Sequence, residues 1–316
     1  MLVLAGPTAV GKSDLALDLA RKTGGEILCA DSMQVYRLME IGTAKPTAAE
    51  RALVRHHLLD LVYPDEPFSA AQYAEAFREA VRGVDERGKL PIVVGGTGLY
   101  IRAALRPFLF PDAGCRPEIR ARLQEFAKTD GAAALHARLA AVDPAAAARI
   151  HPHDIRRAIR ALEVHEATGR PISAWQREPE PDTPYDALYI CLSRGREELY
   201  ARIEARADRM MADGFAGEVE NLLAAGFGRD LPAMQGLGYR ELGAYLHGEC
   251  SLAQAVAELK KRTRNYAKRQ LTWFRHERDT IWLDLSTRSP AEAASEILRL
   301  LAGRRKGPSN NESTCP

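Results

Sequence analysis

Five cysteines, Cys29, Cys115, Cys191, Cys250 and Cys315, lie too far apart to form any C-x-x-C pair. That spacing argues against structural zinc and a disulfide framework. No run approaches 18 consecutive apolar residues, so no membrane-crossing helix is expected. Met1 leads directly into Leu2-Val3-Leu4-Ala5 with no basic segment or cleavage site. No secretory signal is read, and the expected location is cytoplasmic. An excess of one charge is also missing: 44 Lys+Arg against 42 Asp+Glu leave +2, so any polyanionic partner has to be argued from local charge. What is present is 316 residues, 46% hydrophobic and 27% charged, the balance of a globular chain of about two domains.

Leu2 to Ala5 is a short apolar run that stops at Gly6-Pro7, and helical periodicity resumes from Ser13 through Leu15, Leu19 and Ala20. This reads as strand, glycine-rich turn, helix. Further strands are expected at 26–30, 90–94, 187–192 and 281–285, and a helix at 70–87 carries Tyr73, Phe77, Ala80 and Val84 on one side. Strands alternating with helices imply a parallel α/β sheet with ligands at its carboxyl edge. From about Pro111 to Pro184 the chain is Ala-, Arg- and Glu-rich and shows no strand signal. Helices are expected again at 196–225, 239–246 and 253–278. The expected fold class is therefore α/β, a P-loop parallel-sheet core (1–111 and 187–302) with an all-helical insertion domain (112–186). Residues 303–316 are too polar to pack and read as a mobile tail.

Gly6-Pro7-Thr8-Ala9-Val10-Gly11-Lys12-Ser13 matches the P-loop pattern G-x-x-x-x-G-K-S/T in its required strand-to-helix setting. The glycines let backbone N–H groups wrap a phosphate, the helix N-terminus adds positive potential, Lys12 neutralises terminal oxygens, and the Ser13 hydroxyl can hold Mg²⁺. The pattern signals a polyphosphate without saying which, and its default reading is an ATP or GTP site with a Walker-B aspartate. Here the strongest apolar strand ends instead in Gly95-Gly96-Thr97. Asp31, at a strand end with Ser32 and Gln34 beside it, is either a proton acceptor or Mg²⁺ ligand, or a turn residue. Thr97 is either a phosphate ligand or turn chemistry.

Two basic segments are candidates for nucleic acid. From Lys260 to Arg275 positive charge is unbroken by acid and interleaved with Tyr266, Trp273 and Phe274, which suits RNA and equally a solvated face over core aromatics. In 154–163, Ile155, Ile159 and Leu162 form one packed stripe, while Arg156 and Arg160 stand one turn apart on another face, spaced for successive phosphates or for ion pairs.

These blocks, with Asp31-Ser32-Met33-Gln34-Val35-Tyr36, Ile41-Gly42-Thr43-Ala44-Lys45-Pro46, Gly95 to Tyr100, Arg149-Ile150-His151-Pro152, Gln235 to Arg240 and Ala267 to Trp273, together resemble the tRNA dimethylallyltransferase (tRNA isopentenyltransferase) family. The likeness spans nearly the whole chain to about Leu285. It implies that the P-loop holds the diphosphate of dimethylallyl diphosphate. The acceptor it implies is N6 of the adenosine just 3′ of the anticodon, position 37, in tRNAs reading codons that begin with U. Asp31 then matches the family's base, Thr97 positions the diphosphate, and Arg206 assists it. The resemblance further maps Asp31, Ser32, Met33, Gln34, Thr97 and Arg120 onto tRNA contacts. So too Arg156, Arg157, Ala158, Ile159 and Arg160, and Gly236, Leu237, Gly238, Tyr239, Arg240 and Glu241. On this reading the helical insertion clasps the anticodon stem-loop around an extruded base, Mg²⁺ is the cofactor, and the protein is a monomer. The zinc finger of eukaryotic relatives is absent, which favours the bacterial type.

Three other functions share part of the pattern. A prenyltransferase acting on free AMP, ADP or ATP would need a nucleotide pocket in place of the insertion and basic run. A small-molecule kinase would turn over ATP. A non-catalytic RNA-binding module leaves the P-loop and Asp31 unexplained.

Overall fold

The computed structural model describes residues 1–106, 116–176 and 183–305. Six strands, β1 (Leu2–Ala5), β2 (Glu26–Ala30), β3 (His56–His57), β4 (Pro91–Gly95), β5 (Leu188–Ser193) and β6 (Thr280–Asp284), form one sheet in the order β3-β2-β4-β1-β5-β6. Every pairing is parallel. β1, β2, β4 and β5 consist of largely or wholly buried residues, as a parallel sheet covered on both faces demands. Helices α1 (Lys12–Thr23), α2 (Ala48–Leu53), α3 (Ala70–Glu86) and α4 (Gly98–Leu105) connect the first strands. α3 buries Tyr73, Phe77, Val81 and Val84, and its start is closed by a reciprocal Ser69–Gln72 capping box.

Contacts group Met1–Leu105 with Pro184–Pro316 as one unit and Arg106–Thr183 as a second. Within the second unit, α5 (Pro117–Thr129), α6 (Gly131–Val142), α7 (Pro144–Ala147), α8 (Ile155–Thr168) and α9 (Ile172–Trp175) contain no strand among the described residues. Leu123, Leu135, Leu139, Ala158, Ile159 and Leu162 make its core. Ile155, expected in that stripe, is 37% exposed: it is the first residue of α8, ahead of the turn that meets α6.

Back in the first unit, α10 (Arg196–Ala212), α11 (Phe215–Ala224), α12 (Tyr239–Leu246), α13 (Leu252–Phe274) and α14 (Pro290–Arg305) complete the chain. The single helix expected over 196–225 is two helices, because Gly214 at φ 97° ends the first and starts the second. α14 continues through the residues expected to begin a tail at 303. Arg304 explains this by pairing with Asp186 at 2.9 Å and donating to the Ala187 carbonyl at 2.6 Å. The rest of that tail lies outside the described residues.

Glu26 sits at the start of β2, 7% exposed, where Arg87 donates to both its oxygens (2.9 and 2.7 Å) and His57 Nε2 lies 2.6 Å away. The Arg87 bonds hold its carboxyl down at about 2 against the opposing effect of burial, with His57 assisting. A lowered carboxyl pKa gives stability that is complete above the unfolded value near 4.5 and is lost as pH falls towards 2. The Glu26→Gln variant should lose on the order of 2 kcal/mol at neutral pH. Its melting temperature should also depend less on pH between 4.5 and 2, which calorimetry across that range measures.

Candidate active site

Gly6 to Ser13 turn from β1 into α1. Gly11 caps the helix in a left-handed conformation at φ 107°, and Ala9 takes φ 63°, a strained value for a residue with a Cβ. What holds the loop is a set of cations on its carbonyls. Lys12 Nζ donates to Gly6 O at 2.9 Å and Pro7 O at 2.7 Å, Arg202 Nε to Ala9 O at 2.8 Å, and Arg194 Nε to Val10 O at 2.9 Å. With these carbonyls occupied, the loop's N–H groups other than those of Thr8 and Val10, which have partners of their own, are left for an anion.

One backbone N–H is also fixed. Gln270 of α13, 5% exposed, accepts from Thr8 N at 2.9 Å and donates to Gly96 O at 2.8 Å. It thereby ties the P-loop to the end of β4. The tie needs a glycine at 96, since a Cβ there would lie 2.2 Å from the Gln270 amide nitrogen. Nothing local in the sequence signals this bridge, which spans 262 positions to Thr8. Substituting Gln270 by Leu leaves both backbone groups unpaired at about 1–3 kcal/mol each. Calorimetric titration with inorganic diphosphate should show affinity lowered by about tenfold or more, and unchanged affinity would remove Gln270 from the loop's support.

Two cavities open on this loop, of about 590 and 970 Å³, and Ala9, Lys12, Ser13, Lys45 and Arg206 line both. Asp31, Ser32, Met33, Gln34, Gly236, Leu237 and Tyr239 line the first. The Lys12 ammonium is pushed down to about 8, chiefly by burial and then by repulsion from Arg206, while Asp31 pulls it upward. Arg206, on α10, is lowered by burial and raised by the same carboxylate. Two cations and one carboxylate thus feel one another at the mouth of the P-loop. Asp31 follows β2 directly, and its Oδ1 accepts Met33 N at 2.8 Å, so the carboxylate is both a turn former and a wall of the cavity.

Thr97, at the head of α4, accepts Ser32 N on its hydroxyl at 3.0 Å and donates to Ser32 Oγ at 3.3 Å. It joins the ends of β2 and β4, and its own hydroxyl is spent beside Asp31. Lys45, in the Ile41–Pro46 block, gives its ammonium to Tyr36 O (2.6 Å), Glu40 (3.0 Å) and Asp60 (2.5 Å), so it braces the cavity wall.

Residues 236–241 lead into α12. Tyr239 is buried with its hydroxyl on Glu218 at 2.6 Å, and Glu241 accepts Gly238 N at 2.7 Å and pairs with Arg262. Arg240 is exposed. Much of the basic run on α13 is ion-paired: Lys260 with Asp208, Lys261 with Glu258, Arg262 with Glu241, and Arg264 with Glu204. Tyr266, Arg269 and Gln270 line the first cavity instead.

In the helical unit, the cations singled out in the sequence divide. Arg120 and Arg160 both donate to Glu163, at 2.8 and 2.9 Å, a side chain with no exposed surface. Ala158 and Ile159 are core residues of that unit, so their side chains serve the packing of α8. Arg156 and Arg157 are exposed, with Arg157 3.4 Å from Asp154. The successive-phosphate spacing read for Arg156 and Arg160 therefore joins one exposed arginine to one already serving a buried carboxylate.

A parallel sheet with a P-loop at the end of its central strand, cations on the loop, and no acid at the end of β4 defines a phosphate-binding α/β protein without the usual Walker-B arrangement. The comparisons specify it further. The sequence profile described as IPP transferase matches residues 34–277. The tRNA dimethylallyltransferase of Pelotomaculum thermopropionicum is 49% identical over 96% of both chains, and that of Geobacter sulfurreducens is 51% identical over 90% of this chain and 91% of its own. The crystal structure of the full-length tRNA isopentenylpyrophosphate transferase of Bacillus halodurans superposes with a TM-score of 0.73 at 40% identity, covering 96% of each chain. A eukaryotic dimethylallyltransferase acting on tRNA gives 0.83 at 27% identity, covering all of this chain and 82% of the other. The chain belongs to the IPP transferase family, that of the tRNA dimethylallyltransferases.

Proposed function

We propose that this protein transfers the dimethylallyl group from dimethylallyl diphosphate to N6 of the adenosine 3′-adjacent to the anticodon, position 37, in tRNAs reading codons that begin with U. Diphosphate is released. The observation that carries this reading is the meeting of Lys12 and Arg206, which line both cavities, with Asp31 on the wall of the first. One end of that site suits a leaving anion and the other a proton.

In the reaction, N6 attacks C1 of the prenyl group as the C1–O bond breaks, and the bonding pair leaves on the diphosphate. Charge grows on the leaving oxygens, where the free backbone amides of the P-loop, with Lys12 and Arg206, stabilise it. Asp31 takes the N6 proton. Thr97, whose hydroxyl is taken by Ser32, serves the diphosphate site by holding Ser32 beside Asp31 at the end of β4.

Mg²⁺ fits the donors present. Among the described residues no cluster of three His, Cys, Asp or Glu could cage a metal, and Mg²⁺ is commonly held by one or two protein oxygens with substrate phosphates and water. The Ser13 hydroxyl, which lines both cavities, would be its protein ligand, and the ion would supply further charge neutralisation on the diphosphate.

For tRNA, we assign the acceptor side of the first cavity (Asp31 to Gln34, Gly236, Leu237 and Tyr239), with the adjoining Gly238, Arg240 and Glu241, to the extruded base and its neighbours. Exposed Arg156 and Arg157 take backbone phosphates, and Arg120 and Arg160 support them through Glu163 on a helical unit that clasps the anticodon stem-loop. Among the described residues no helix is long and apolar enough to cross a membrane, and the protein is proposed to act as a monomer. Donor choice tests the reading. Diphosphate should appear from dimethylallyl diphosphate only when tRNA is added, and ATP should be left intact. Hydrolysis of ATP without prenyl transfer would return the P-loop to a nucleotide-hydrolysing role.

A further inference from the structure

The segment between β2 and α2 is held under strain. Leu38 and Ala44 take φ of 68° and 47°, values that persist in residues with a Cβ only where surrounding contacts impose them. Lys45 anchors one end, as described above. The other end is held by a residue with no part in the chemistry so far, Glu218 of α11. Its Oε2 accepts Glu40 N at 2.8 Å and Ile41 N at 2.6 Å. Its Oε1 accepts Gly42 N at 3.1 Å and the Tyr239 hydroxyl at 2.6 Å. Three consecutive backbone N–H groups closing on one carboxylate form an anion nest, and the tyrosine joins that nest to the segment that begins α12. Glu218 therefore fastens together two stretches of the first cavity's wall, 42–46 and 235–239.

The fastening has a consequence for Gln34. Its amide nitrogen lies 3.1 Å from both Thr43 O and Ala44 O. Two carbonyl partners require the NH₂ group on that side. The group left for a ligand is Oε1, an acceptor. An acceptor suits the exocyclic amine of adenine and opposes the O6 carbonyl of guanine or hypoxanthine, which carries lone pairs at the same position.

We propose that Glu218 is a positioning residue for the acceptor base, fixing the 40–44 turn against Tyr239 so that Gln34 meets an extruded purine with its carbonyl oxygen. The proposal rests on the reading that this chain modifies an adenosine in tRNA.

The test is the Glu218→Gln variant, whose single acceptor oxygen cannot serve all four donors. Its KM for an anticodon stem-loop should rise about tenfold, while the dissociation constant for inorganic diphosphate stays within about twofold of the wild type. A competitor stem-loop carrying inosine at the acceptor position gives a second readout. The wild type should bind the adenosine stem-loop more tightly than this competitor, and the variant should lose most of the difference. General loss of fold would lower the melting temperature and the active fraction but leave both the stem-loop KM and the adenosine-to-inosine ratio in place. Should the glutamine variant fail to fold, Tyr239→Phe removes one of the four bonds, and its KM should rise about threefold. An unmoved KM and an unmoved base ratio in a folded variant would overturn the role of Glu218. A wild-type protein that transfers no prenyl group to tRNA would instead overturn the function on which it rests.

Discussion

Replacing Lys12 by methionine should raise the melting temperature of the ligand-free protein, relief of its buried charge outweighing its lost bonds to Gly6 O and Pro7 O, while removing its affinity for diphosphate. The ammonium is enclosed beside Arg206 and its pKa is lowered from 10.5 to about 8, so the folded protein pays for a buried charge that the unfolded chain carries in water. A shift of that size corresponds to about 3 kcal/mol. The sign follows from linkage: a lysine with a lowered folded pKa costs stability fully below about 8, and the cost disappears as pH rises towards 10.5. Wild-type stability should therefore climb between pH 8 and 10.5 relative to the Lys12→Met variant. Diphosphate reverses the balance by supplying the negative charge that the site lacks, so its binding should weaken as pH rises through 8. The variant should bind it about 10²- to 10³-fold less tightly and show no diphosphate-dependent rise in melting temperature. Thermal scans with and without dimethylallyl diphosphate measure both effects, and a variant less stable than the wild type at pH 7 would show that Lys12 serves the empty loop more than it strains it.

The Asp31→Asn variant should lose about 10²- to 10⁴-fold in kcat with stem-loop affinity nearly intact. Asparagine keeps an oxygen for Met33 N, whose bond to Asp31 Oδ1 is 2.8 Å, so the turn survives and only the proton acceptor is removed. Because Asp31 also raises the pKa of Lys12, its loss should move the pH limit of diphosphate binding downward. Single-turnover rates with pre-bound tRNA separate the two effects. A variant retaining most of its turnover would exclude Asp31 as the base.

How far the sequence reached depended on the distance over which each signal acts. β1, the P-loop and α1 are written in 22 consecutive positions, Leu2 to Thr23, and both ends of β1 and β2 read correctly. α4 carried no expectation, because the glycine-rich Gly95-Gly96-Thr97-Gly98 ends the strand signal although its last glycine opens a helix. β3 is only His56–His57, too short for any periodicity. Asp31 and Arg206 were singled out before the structure placed both on the cavity wall. Gln270, though inside the Ala267–Trp273 block, was given no role and Glu218 was not singled out, since backbone partners 174 and 262 positions away for Gln270 and 176 to 178 for Glu218 leave no mark on a side chain's own neighbourhood. Charge spacing alone also could not divide Arg156 from Arg160, because the carboxylate that claims Arg160 is three residues on and wholly buried.

The most direct test is nucleoside mass spectrometry of unmodified tRNA incubated with the protein, Mg²⁺ and dimethylallyl diphosphate, with AMP and ATP offered in parallel as acceptors. N6-dimethylallyladenosine in the tRNA digest, at the residue 3′ of the anticodon and nowhere else, is the predicted result. Prenylated free nucleotide with unmodified tRNA would contradict it.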